Sequence, residues 1–244
     1  MGFSVGLKGL LLVAVVAIAP APAQALEDPA AGLQLNPQTY KSLLGSPPAP
    51  GSPQEAEDLA ILRWNQRTRS PQAVQHAWQF LNRYLGVFNS AVGANLAKTA
   101  PTLWQGLPAF LREADRVKDA LKDHYQRPRP FVTHGDLQPC LPLETSHSFP
   151  SGHSTWYATA SRLLADLLPQ RRERLLSTGL QGGSARVYCQ VHYPSDVLAA
   201  QRLATALSAE IIASPQWQAF RARLQPELLK LLQQPPAGLP LLSD

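Results

Sequence analysis

Leu107, Phe110, Leu111, Ala114, Val117, Leu121 and Tyr125 return at three- and four-residue steps, the repeat of one face of a helix. This stripe predicts a long helix whose buried face ends beside Lys122. Val197, Ala200, Leu203, Leu207 and Ile211 repeat the pattern, and Trp217, Phe220, Leu224, Leu228 and Leu231 give a third stripe. Two-residue alternation is missing almost everywhere, so little of the sequence is patterned for a sheet. Ser52-Pro53, Ser70-Pro71 and Ser214-Pro215 each read as a helix start, with serine capping and proline in the first turn. Glu55 completes a capping box with Ser52. The expectation is an all-α, single-domain fold without internal repeats. With 244 residues, 45% of them hydrophobic, there is apolar material for a core. Gly 15 and Pro 23 stay below the content of a disordered or collagen-like chain.

The N-terminus has the pattern of an export signal. Lys8 precedes an apolar run from Gly9 to Ala19, Pro20 breaks it, and Ala23-Gln24-Ala25 offers a small-residue cleavage site. The run is shorter than the roughly 20 residues a membrane span requires. Residues 1–25 are therefore expected to be a cleaved signal peptide, and the product to be periplasmic or secreted, with no membrane association. Residues 26–53 contain Pro47, Pro48, Pro50 and Pro53 and are expected to form an extended arm over the surface. Residues 54–244 are expected to form the helical domain.

Three segments carry chemistry. Lys122, Arg127 and Arg129 crowd the end of the long helix, followed by Pro130. Lysine offers a point charge and arginine a planar fork that matches two phosphate oxygens. Pro150-Ser151-Gly152-His153 opens another helix, whose free N–H groups suit an anion. Arg186, His192 and Asp196 make up the third, with histidine and carboxylate four residues apart. That spacing lets Asp196 hold one imidazole nitrogen and free the other. Each segment alone also fits a plainer reading: a solvated basic helix end, an ordinary N-cap with a surface histidine, and a capping aspartate with a satisfied histidine.

Taken in order, Lys-x6-Arg-Pro, Pro-Ser-Gly-His and Arg-x5-His-x3-Asp resemble the signature of the type 2 phosphatidic acid phosphatase (PAP2) superfamily. The chain looks like its exported form, the class A bacterial non-specific acid phosphatases, over about residues 43–232. The resemblance implies a helical bundle of the PAP2/haloperoxidase type that hydrolyses phosphate monoesters. It further implies His192 as nucleophile oriented by Asp196, His153 as acid and then base, and Lys122, Arg129, Arg186, Ser151 and the Gly152 N–H as ligands of the phosphoryl oxygens. The family places serine directly before the arginine of the third motif. Here Ala185 stands there and Ser184 lies one residue earlier.

The three cations take the place of a metal clamp. The six histidines show no clustered His-Asp pattern for a two-metal site, so neither metal nor cofactor is expected. The net charge of +5 permits an anionic partner, and a small phosphomonoester accounts for it without a nucleic acid polymer. Tyr125, Trp156 and Tyr188 are candidates for a leaving-group pocket or for core packing, and His76 reads as a packed core histidine. Two cysteines are too few for a disulfide scaffold or a four-thiolate zinc site. In an oxidising compartment Cys140 and Cys189 are expected to pair, tying the first cationic segment to the third. His153 must be protonated to act as an acid, so the rate is expected to peak below neutrality. A vanadium-dependent haloperoxidase-like enzyme and a non-catalytic phosphate-binding protein share these motifs. A homo-oligomer is left open.

Overall fold

In the computed structural model, residues 1–2 and 28–233 are described, and among them the regular structure is helical without strands. The elements are α1 (Pro37–Leu44), α2 (Pro53–Thr68), α3 (Pro71–Trp78), α4 (Asn89–Val92), α5 (Leu96–Thr99), α6 (Pro101–Tyr125), α7 (Pro130–Thr133), α8 (Gly152–Leu167), α9 (Arg172–Tyr188), α10 (Pro194–Ala213), α11 (Pro215–Arg223) and α12 (Gln225–Gln233). Short 3-10 turns lie at Leu85–Phe88 and Pro169–Arg171. The expected signal peptide falls almost wholly outside the described residues.

Helix α8 lies at the centre. Every residue in it except Arg162 and Asp166 is buried, as for a helix surrounded by others. It packs on α6, α9 and α10. Helix α9 comes close because glycines face α8: a Cβ at Gly182 would collide with the Tyr157 ring, and one at Gly179 with Ser161 and the Tyr157 backbone. This close approach sets Arg186, on α9, against the first turn of α8.

The stripes of α6 and α10 are buried from Leu103 to Leu121 and from Val197 to Ile211, as their spacing implies. The third stripe is buried too, but α11 and α12 divide it at Leu224. Pro226, without an N–H, cannot continue the hydrogen-bond ladder of α11. Ser52, Ser70 and Ser214 cap their helices, each accepting from the backbone N–H three residues on. The Glu55 carboxylate departs from a strict capping box by accepting from the Gly51 N–H at 2.6 Å.

The segment ahead of Pro53 differs from an extended surface arm. Its middle holds α1, and Ala30, Leu35, Tyr40 and Leu44 join the core. Tyr40 donates to Glu210 on α10, and Arg116 on α6 donates to the Leu35 carbonyl at 2.7 Å. Residues 28–36 and the proline-rich stretch from Gly45 to Ser52 run without helix on either side of α1. His76 is another correction: it is exposed, 3.0 Å from Gln181 Oε1 and edge-on to Phe80, because it borders an open cavity between α3 and α9 with Ala73 and Ala77.

Among the described residues no single helix is long and apolar enough to cross a membrane. The bent pair α10–α11 passes such a test by composition, but its apolar residues from Val197 to Phe220 are largely core residues here.

Candidate active site

Two helices deliver site residues where a glutamine turns the chain. Helix α6 ends at Gln126, which is left-handed with φ 50°, and α9 is followed by Gln190 at φ 60°. After the first turn Pro128 and Pro130 hold Arg129 in extended backbone. After the second, His192 and Tyr193 lead into α10. Ser151 caps α8, its side chain accepting from the Ser154 N–H at 3.4 Å, and its own N–H donates to the Asp196 carbonyl at 3.1 Å. The three sequence segments thereby meet.

His192 is fully buried. Its Nδ1 lies 3.3 Å from Asp196 Oδ2 and 3.3 Å from Ser148 Oγ, while Nε2 is buried with no partner. Because the carboxylate only accepts, Nδ1 carries the proton and Nε2 keeps its lone pair. Asp196 plays both of the parts considered for it, since Oδ2 also accepts from the Tyr193 N–H at 2.9 Å and from Ser148 Oγ at 2.5 Å. Burial, then Arg129, Lys122 and Arg186, push the His192 imidazolium well below its ordinary range. The ring is therefore neutral.

The cations surround this nitrogen. Arg129 spends its fork on the Ser146 carbonyl at 2.8 Å, the Val191 carbonyl at 2.8 Å, Ser146 Oγ at 3.0 Å and Glu144. Arg186, fully buried, donates to Glu144 from one Nη, while its Nε and Nη1 have no partner. Lys122 Nζ donates to the His147 carbonyl. Its stem lies against Gly152, where a Cβ would sit 3.8 Å from Lys122 Cε and 3.4 Å from Lys118 Cδ. Burial, then Arg129 and Lys118, lower Lys122 to about 7. His153 Nε2 bonds the Leu81 carbonyl at 2.8 Å, and its Nδ1 is 3.7 Å from Glu144 Oε1. Burial, then Arg186, lower His153 to about 3. Buried cations around a helix N-terminus and an orphaned imidazole nitrogen form a receptor for an anion.

Behind the site, Arg127 lies with Asp196, Ser195 and Asp58, and its guanidinium is 3.8 Å from the centre of the Tyr193 ring. Cys140 and Cys189 form a disulfide, Cα atoms 4.7 Å apart, joining the 134–150 loop to the end of α9. Ser184 donates to the Leu180 carbonyl on the outer side of α9, so it does not replace the hydroxyl missing at Ala185. Tyr125, Trp156 and Tyr188 line three separate cavities and do not make one pocket.

Glu144, Ser148, Lys118 and Asp58 were not singled out from the sequence. Asp58 carries a readable signal, being in phase with the buried Leu59 and Leu62 of α2. Glu144 and Ser148 lie in a loop, where no period marks a contact. Among the described residues no group of three or more His, Cys, Asp or Glu could hold a metal ion.

A family model described as the PAP2 superfamily matches residues 108–220. A non-specific acid phosphatase of Providencia stuartii is 27% identical over 200 residues, 78% of this chain and 81% of that protein. An acid phosphatase of Zymomonas mobilis subsp. mobilis is 33% identical over 181 residues, 70% of this chain and 67% of that protein. Among solved structures, a transmembrane PAP2 type phosphatidylglycerolphosphate phosphatase from Bacillus subtilis aligns with a TM-score of 0.52 at 21% identity. That alignment covers 77% of this chain and 93% of the other, and the likeness is one of fold.

Proposed function

This chain belongs to the PAP2 superfamily and is a phosphatase, and from that premise we propose that it hydrolyses phosphate monoesters through a phosphohistidine on His192. The observation that carries this reading is the orphaned His192 Nε2, buried beside Lys122, Arg129 and Arg186 while Nδ1 is held by Asp196. Nε2 attacks phosphorus, the N–P bond forms and the P–O bond to the leaving group breaks. His153 gives its proton to the departing oxygen. Water then attacks phosphorus, His153 takes a proton from it, the N–P bond breaks, and orthophosphate leaves with His192 restored. Asp196 stabilises the imidazolium character that develops when the bond forms. Lys122, Arg129 and Arg186, with Ser151 and the Gly152 N–H, stabilise charge on the equatorial oxygens. The fixed cations supply the charge that a metal clamp supplies elsewhere, so the reading includes a rate indifferent to chelators. It also includes export, directed by residues 1–25, and a site that reads the phosphoryl group more strictly than the alcohol.

The test is single-turnover reaction with a phosphomonoester labelled in phosphorus, quenched and resolved from free label. An acid-labile, base-stable phosphoenzyme is expected, absent in His192→Ala and, with p-nitrophenyl phosphate, whose leaving group needs no acid, accumulating in His153→Ala. Labelled enzyme that survives His192→Ala would defeat the assignment.

A further inference from the structure

Glu144 takes no part in the mechanism above, yet it stands among the groups assigned to the phosphoryl oxygens. One carboxylate oxygen accepts from Arg129 and the other from Arg186. The oxygen on Arg186 is also 3.7 Å from His153 Nδ1. A carboxylate meets guanidinium forks as two oxygens of a phosphate do, so Glu144 and a phosphoryl group compete for the same donors. The carboxylate fits only in part: Arg186 Nε and Nη1 and His192 Nε2 stay buried without partners. A phosphoryl group has three equatorial oxygens and more charge to offer them.

We propose that Glu144 is a built-in stand-in for the phosphoryl group, occupying the cation cluster when no ligand is bound and displaced by every phosphate that enters. This rests on the reading of the cluster as the phosphate site. Its place in the chain suits the task. Glu144 lies in a segment without helix between α7 and α8, and its side chain is 32% exposed, so the carboxylate has water to swing into. The segment is tethered by the Cys140–Cys189 disulfide on one side of Glu144 and by Ser148 N–H to the Arg127 carbonyl, 2.7 Å, on the other. Burial alone would raise the Glu144 carboxyl, but Arg186 and then Arg129 outweigh it and hold the group at about 2. The stand-in is thus charged throughout the range in which the protein is expected to work.

Glu144 thereby selects among anions. A ligand with one carboxylate gains nothing over the resident one, whereas a phosphate dianion brings a further oxygen and charge. The same competition expels orthophosphate after hydrolysis. The apparent dissociation constant is the intrinsic one divided by the fraction of molecules in the open state, so an open fraction of about one tenth weakens phosphate binding about tenfold.

Calorimetric titration of orthophosphate into the wild type, Glu144→Gln and Glu144→Ala tests this, alongside KM and kcat for p-nitrophenyl phosphate. Gln keeps the shape without the charge, and Ala removes both. Both variants are expected to bind orthophosphate about tenfold more tightly and to lower KM by a similar factor with a smaller change in kcat. Without phosphate both should melt below the wild type, because the cations lose their counter-charge. Unchanged or weaker phosphate binding in both variants overturns the proposal while leaving the phosphate site in place. A wild type that hydrolyses the ester but does not compete it with orthophosphate overturns both the site and the stand-in.

Discussion

Arg127 and Asp196 form a buried ion pair behind His192, Nη1 to Oδ1 at 2.7 Å, with side chains 6% and 0% exposed. The pair divides the labour of the Asp196 carboxylate. Oδ1 answers Arg127, and Oδ2 is left for Ser148, the Tyr193 N–H and His192. The orientation of the imidazole therefore depends on an arginine that does not face the phosphoryl site.

Removing Arg127 should strand two buried carboxylates, Asp196 and Asp58. Arg127→Ala is expected to cost about 3–5 kcal/mol, as when one partner of a buried pair is deleted. Arg127→Lys should cost less, because it keeps the charge and gives up the fork. Urea unfolding of the two variants reads the difference, and an Ala variant within ~1 kcal/mol of wild type would contradict this role.

The pH profile should follow Lys122. Burial and neighbouring cations place it at about 7, so the free protein loses this cation as pH rises through neutrality. Above that point kcat/KM is expected to fall about tenfold per pH unit, as for an essential protonated group. His153, lowered to about 3, adds to the same trend, since its acid form grows as pH falls. Lys122→Arg should flatten the fall near neutrality, because arginine stays charged. A profile flat from pH 6 to pH 9 in the wild type would refute the assignment.

Reduction of the Cys140–Cys189 disulfide, which closes a sequence separation of 49, should lower stability by up to about 4 kcal/mol in the chain-entropy picture. The bridge also anchors the loop that carries Glu144. Reduced protein is expected to bind orthophosphate differently from oxidised protein at the same temperature, measurable by titration with and without a phosphine reductant. Identical unfolding midpoints in the two states would rule out a stabilising bridge.

What was legible in the sequence follows from what is local. The faces of α6 and α10 could be read because a helix turns periodic spacing into a buried stripe. The segments around Lys122, His153 and His192 could be placed at helix ends one by one, but their roles came only from the resemblance that the three carry in order. The third stripe was harder: Leu224 keeps the spacing while Pro226 ends the ladder, and only the second observation splits α11 from α12. Proline content alone misjudged residues 26–53, since four prolines near its end say nothing about Leu35 or Tyr40, which find the core. His76 was misplaced because spacing along α3 does not show that the helix meets α9 across an open cavity, which leaves the ring exposed. Glu144 and Ser148 left no local mark, since both act through contacts made only after the chain has closed.

The segment from His134 to Pro150 reaches the site through several consecutive contacts. It sends the His147 carbonyl to Lys122, Ser146 to Arg129, Glu144 to both arginines and Ser148 to the His192–Asp196 pair. In a fold otherwise made of rods, the least regular stretch works as a ruler, with Glu144, Ser146, His147 and Ser148 acting as its graduations. Its length is therefore part of its function. Losing one residue there would shift every mark at once, although no helix would be broken.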